Sequence, residues 1–236
     1  MKIEEAIENL YSVFSKYTTS DMHHCDCGCI EEGNVRKLAS KKLRELEEDD
    51  FVSYRGSALY TWGEIEHYKH FLARILEVHN QKNGKGMIGL FEITAKFEYA
   101  KWQSWDEIEV KALRDFFFAD WLSFVNSANS EIGIDDLEYY SFFFQPIELL
   151  NAWDLSKDDN SIKNFVHFYY LNGTDLINKG LNLKGKVFEK EIFEFINRKG
   201  LLELLEKEFF KADLFDKAYA EKVSIVLQMI EQNYFN

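Results

Sequence analysis

"MIGLFEITAKFEYAKW" (residues 87–102) decides the fold class. Its β-branched residues and the alternation at 88–94 suit a strand. A strand needs a partner, and a lone pair of strands is barely stable in water. Every neighbouring segment has helical spacing and no partner strand is evident. We therefore read 87–102 as helix and the whole chain as all-α.

Working outward, "TWGE" (61–64) has the form of a capping box. It predicts a helix opening at Thr61, with Ile65, Tyr68, Leu72, Ile75, Leu76 and His79 on one stripe and turn residues from 80 to 86 ending it. On the other side, "SWDE" (104–107) is a second capping box. Its helix is expected to run to about residue 127, with Ile108, Ala112, Leu113, Phe116, Ala119 and Trp121 inward. Phe117 and Phe118 widen the apolar face, which makes this helix central.

At the N-terminus, Ile3, Ala6, Ile7, Leu10, Tyr11, Phe14 and Tyr17 recur at helical spacing. Helices are also expected around 31–39 and 47–60. Downstream, Asp135 suits an N-cap, and Pro146 the first turn of "QPIELLNAW". "DLSKDDN" (154–160) reads as a loop, "SIKNFVHFYYL" as a helix, and "NGTDLINKGLNLKGK" (172–186) as the most breaker-rich stretch. The tail adds "VFEKEIFEFINRK", a stop at Gly200, "LLELLEKEFF", and a last helix from Ala212. The sum is ten to twelve short helices and at most one hairpin. That allows an irregular helical repeat, α-solenoid-like, or an orthogonal helix bundle. One domain, 1–236, is expected, with a possible subdivision near 154–186.

Composition limits the function. Forty-one acids against 28 Lys and Arg leave a net charge of −13. That disfavours nucleic acid and anionic membrane surfaces, and it suits a basic protein partner. No run approaches the roughly 18 apolar residues of a membrane span. "MKIEEAIENL" lacks the apolar core of a signal peptide. A cytoplasmic location follows, consistent with three cysteines too close together to frame disulfides.

Those three cysteines lie in "DMHHCDCGCI" (21–30) with two of the six histidines. In an extended backbone His23, Cys25, Cys27 and Cys29 point to one face. Four such ligands suit Zn²⁺, and His24 can reach round a turn as an alternative. Gly28 permits a sharp bend. The C-x-C spacing is tighter than the usual zinc knuckle and suits Cu(I) about as well. In a helix only Cys25 and Cys29 align and the clasp fails. Inert buried cysteines are the competing explanation. His67 and His70 are helical neighbours on the polar side of their helix. They face solvent there, or a second layer covers them and makes His70 a candidate ligand. His167, between Phe and Tyr, reads as a core or near-core histidine.

"LYSVFSKY" (10–17), the cysteine cluster and "LRELEEDDFVSYRGSALYTWGEIEHYKHFLARILE" (43–77) together resemble a family of uncharacterised bacterial proteins. Its members share a Y-x-x-F helix, a C-P-C-C or C-x-x-C element, "PLREL", and "TWG" followed by "HFLPRILE". The resemblance covers a third of the chain and implies no activity. It maps onto Cys25, Cys27, Cys29, Trp62, Gly63, His70, Phe71, Leu72 and Arg74, and implies that the cysteine segment and the His70 helix meet. This chain departs with C-x-C-x-C and with Ala73 where the family often has Pro.

Other motifs are weaker. "GKGMIG" (84–89) matches a dinucleotide fingerprint literally, but a helix precedes it where a strand is required. Acidic runs such as "EEDD" (47–50) read as solvated turns. Asp120 is a buried functional carboxylate or, as we favour, lies on the polar edge of its helix. Two function classes remain: a binding or scaffold module with a structural zinc clasp, or an enzyme using an open zinc site or a low-pKa cysteine. An acidic immunity or antitoxin-type partner of a basic protein is a variant of the first.

Overall fold

The computed structural model describes residues 1–28, 30–83, 85–128, 130–183 and 185–234, without the side chains of 233 and 234. Among these residues the protein is all-α, with twelve α-helices and one two-stranded hairpin. No described helix is long and apolar enough to cross a membrane. The chain forms two compact units, Met1–Asp120 and Trp121–Asn236.

The first unit holds α1 (Ile3–Phe14), α2 (Glu32–Ala39), α3 (Val52–Ser57), α4 (Ile65–Gln81), α5 (Leu90–Tyr99) and most of α6 (Glu107–Asn126). The deciding stretch, expected to be helical over 87–102, is helical over Leu90–Tyr99, as α5. Its core is aromatic: Tyr54 meets Phe71 edge-on at 4.9 Å, and Phe97 meets Phe117 at 5.9 Å. Such edge-to-face pairs add to the stabilisation from burial.

Several local expectations need correction. In place of a helix over 47–60 there is a single 3₁₀ turn, Glu48–Asp50, and then the short α3. The buried Asp50 carboxylate draws the chain tight there, accepting the Glu47 N–H at 2.8 Å and Lys41 Nζ at 2.7 Å. In α6 Ile108 is 62% exposed, and Glu109, fully buried, takes the inward position with Ala112, Leu113 and Phe116. Asp120 is buried rather than on a polar edge. It accepts from Asn80 Nδ2 at 2.7 Å, with His79 Nε2 at 3.6 Å. The long apolar run had left no polar face for it.

The second unit holds the end of α6, α7 (Ile134–Tyr140), α8 (Pro146–Ala152), α9 (Asp159–Lys179), β1 (Leu181–Leu183), β2 (Lys186–Phe188), α10 (Glu189–Ile196), α11 (Leu201–Asp213) and α12 (Lys217–Tyr234). Asp136, not Asp135, completes the start of α7, accepting the Gly133 N–H at 2.8 Å. Trp121, Trp153, Phe165 and Phe195 fill the core, and Trp121 Nε1 donates to Leu149 O at 3.0 Å. The breaker-rich stretch stays helical to Lys179. Gly173 serves there as a contact residue: a Cβ would lie 2.9 Å from the Tyr169 ring and 3.1 Å from Met229 Sδ of α12. The antiparallel hairpin pairs Leu181 with Phe188 and Leu183 with Lys186.

Candidate functional site

The candidate site is built on a turn. After α3, the Thr61 and Trp62 N–H groups both donate to Ser57 O, at 3.0 and 3.1 Å. The end of α3 would otherwise leave carbonyls bare. Lys96 of α5 answers this, with Nζ 2.9 Å from Gly56 O and 2.7 Å from Ala58 O, under the Tyr60 ring at 3.4 Å. Burial pushes its ammonium down to about 8.

"TWG" therefore does not start the helix. Glu64 precedes the first helical residue, and its N–H donates to His67 Nδ1 at 2.9 Å. Thr61–Gly63 instead form a short edge that pairs antiparallel with His23–Cys25. The Cys25 N–H donates to Thr61 O at 2.8 Å, and the Gly63 N–H to His23 O at 2.9 Å. Trp62 is buried against Tyr54 at 5.2 Å and His24 at 6.5 Å. Gly63 has φ +72°, and a Cβ there would sit 3.0 Å from His67 Cβ and 3.3 Å from Met22 Cγ. Only glycine takes this conformation and this close approach without strain.

The cysteine segment and the His70 helix are joined through the residues between α1 and Cys25. His67 Nε2 donates to Ser20 O at 2.9 Å, and His70 Nδ1 to Tyr17 O at 2.8 Å. A segment covers the polar side of α4, so neither histidine stands free in solvent. His67 has both ring nitrogens occupied and has no lone pair left for a metal. His70 donates from Nδ1 to a carbonyl, which fixes the tautomer with a lone pair on Nε2, as metal-binding histidines are commonly oriented.

Beneath this segment sits an ion cluster that spacing alone did not single out. Glu109 Oε2 lies 2.7 Å from Lys69 Nζ, and Oε1 accepts from Tyr17 OH at 2.5 Å and Lys16 Nζ at 2.9 Å. Lys69 Nζ also lies 4.2 Å from the Trp105 ring centre. Burial alone would raise the Glu109 carboxyl. The hydrogen bonds from Lys69, Tyr17 and Lys16 outweigh it and hold the group below its usual range. Burial and the Glu109 carboxylate raise the Tyr17 phenol. The signal was present: Glu109 stands at i, i+3, i+4, i+7 spacing with Ala112, Leu113 and Phe116.

Beyond Cys25 the extended course ends. Asp26 and Cys27 form a turn, and Gly28 has φ +78°. The alternation that would align His23, Cys25 and Cys27 therefore holds only over 23–25. Cys29 lies outside the described residues. The turn brings the Cys27 N–H to Cys25 Sγ at 3.3 Å. His23 Nε2 is 3.5 Å from Glu64, and His24 Nε2 is 3.5 Å from Glu32. Among the described residues no three of His, Cys, Asp and Glu converge as a metal set. The glycines of 85–89 lie in irregular chain between α4 and α5, without the strand that a dinucleotide site requires.

No protein-family model, no curated protein and no solved structure matches this chain.

Proposed function

We propose that this protein is a cytoplasmic protein-interaction module in which a zinc ion closes the cysteine loop. One observation carries the interaction reading. Phe210, Leu214 and Phe215, at the end of α11, are 69%, 75% and 88% exposed within six residues of one another. A run of large apolar side chains left in water marks a contact surface more often than chance exposure. The partner that fits is apolar where it touches this patch and basic overall, to complement the charge of −13.

The zinc clasp is supported by the turn at Asp26–Cys27, which folds the chain so that the Cys27 N–H meets Cys25 Sγ at 3.3 Å. Cys25, Cys27 and Cys29 supply three ligands, and His23, His24 or His70 the fourth. Zinc would satisfy the thiolates and restrain the loop; it takes no part in a reaction. Cysteines crowded too closely to frame disulfides fit a reducing compartment.

Elemental analysis of the purified full chain tests the clasp. About one zinc per chain is expected, lost in the Cys25→Ser/Cys27→Ser variant; metal-free wild type would sink it. Affinity capture from the source cell, comparing wild type with Phe210→Ser/Phe215→Ser, tests the surface. A basic protein retained only by wild type supports the reading, and identical captures refute it.

A further inference from the structure

The hairpin of the second unit has one covered strand and one bare one. In β1, Leu181 and Leu183 are buried. In β2, Val187 is 51% exposed and no residue of the strand is buried. With a two-residue turn, Leu183 and Lys186 are the hydrogen-bonded pair that closes the hairpin. Bonded and non-bonded pairs alternate, so Asn182 and Val187 turn their backbone groups away from each other. The Val187 N–H and C=O therefore point out from the edge of β2. Nothing outside the hairpin bonds either of them among the described residues. Two residues on, Glu189 opens α10, and its N–H has no partner inside that helix. An edge of this kind is a template for another extended strand, which supplies N–H and C=O groups at matching positions.

The side chains indicate which strand. Charge is divided about Val187, with Lys186 before it and Glu189 and Glu191 after it. None of these three forms an ion pair among the described residues. Lys190, between the two acids, lies 3.4 Å from Glu194. A second β2 running antiparallel brings its Glu189 end beside Lys186 and its Lys186 beside Glu189, which a parallel one does not. The Val187 side chain lies across Gly180, where a Cβ would sit 2.8 Å from Val187 Cγ1. Gly180 in turn lines a groove of about 390 Å³ with Ile177, Ile192 and the 57% exposed Phe193. Backbone edge, divided charge and apolar surface thus meet at one place, and each is complementary to itself under a two-fold rotation.

We propose that two copies of this chain pair through β2, antiparallel about a two-fold axis at Val187, to form one four-stranded sheet. Val187 then exchanges N–H···O=C bonds with Val187 of the partner subunit, and the Glu189 N–H faces the carbonyl of Gly185 of the partner subunit. This rests neither on the zinc clasp nor on the Phe210–Phe215 surface. The test is sedimentation equilibrium of the full chain between about 5 µM and about 1 mM. An interface this small predicts a weak dimer, dissociating on the order of 10–100 µM. Val187→Pro removes an N–H that the hairpin itself does not use, and should weaken the dimer at least about tenfold. Phe210→Ser/Phe215→Ser should leave it unchanged. In ¹⁵N-labelled wild type, the amide shifts that change between dilute and concentrated samples should centre on 186–189. A monomer throughout, assembly beyond a dimer, shifts centred elsewhere, an undiminished dimer in folded Val187→Pro, or loss of the dimer in Phe210→Ser/Phe215→Ser would overturn the proposal. The shift map of wild type stands even if the proline variant fails to fold.

Discussion

Gly63 and Gly28 both have positive φ, yet they face different surroundings. Nothing lies within 4 Å of a Cβ placed on Gly28, whereas one on Gly63 would press on His67 and Met22. Gly28→Ala should therefore cost only the backbone preference, about 1 kcal/mol. Gly63→Ala should add steric strain and reach about 2–4 kcal/mol. Urea denaturation measures both, and equal losses would show that the Gly63 contact relaxes freely. This contrast was half legible beforehand. The need for a bend at Gly28 follows from its place among three cysteines. The need at Gly63 arises from a partner 40 residues upstream, which local spacing cannot reveal.

At the scale of elements, the Glu109–Lys69 pair links α6 to α4, and Tyr17 adds the residues after α1. Glu109→Gln removes a buried charge and strands Lys69, at an expected cost of about 3–5 kcal/mol. The pH dependence has a definite sign. The folded carboxyl titrates below its ordinary value of 4.5, so its contribution is present above that pH and is lost as pH falls through the folded value. Wild type should lose stability more steeply than Glu109→Gln below about pH 4.5, read from denaturant midpoints at successive pH values. Parallel pH curves would mean that Glu109 is not held ionised. Helices with a clean apolar stripe, such as α1 and α4, were legible from periodicity, as was the helical nature of α5. What escaped were the element ends. Thr61–Gly63 looked like a cap because T-x-x-E fits one, but pairing with His23–Cys25 claimed those backbone groups. The continuation of α9 past Gly173 depended on α12 packing against a residue without a side chain. The cysteine loop was legible as a cluster and illegible as a conformation, because a turn at Asp26 breaks the alternation that C-x-C-x-C suggests.

At the scale of the whole molecule, 41 acids against 28 basic residues set a self-repulsion that no single pair offsets. Surface pairs such as Arg44–Glu8, with two bonds of 2.7 Å, contribute little when exposed. Between 0.01 M and 1 M NaCl the screening length falls from about 30 to about 3 Å. Net repulsion then weakens more than the short pairs do, and the melting temperature should rise by about 2–4 °C, near 1 kcal/mol for a chain of this size. A fall in differential scanning calorimetry would mean that ion pairs dominate.

Backbone and imidazole bonds fasten the loop that carries Cys25: Cys25 to Thr61, Gly63 to His23, His67 to Ser20, His70 to Tyr17. None of these attachments involves sulfur. Oxidants, alkylating agents and chelators can therefore act on the thiols of Cys25 and Cys27 without unfastening the chain that presents them. Chemistry at the rim and integrity of the scaffold are separable here, so each can change in the course of evolution at little cost to the other.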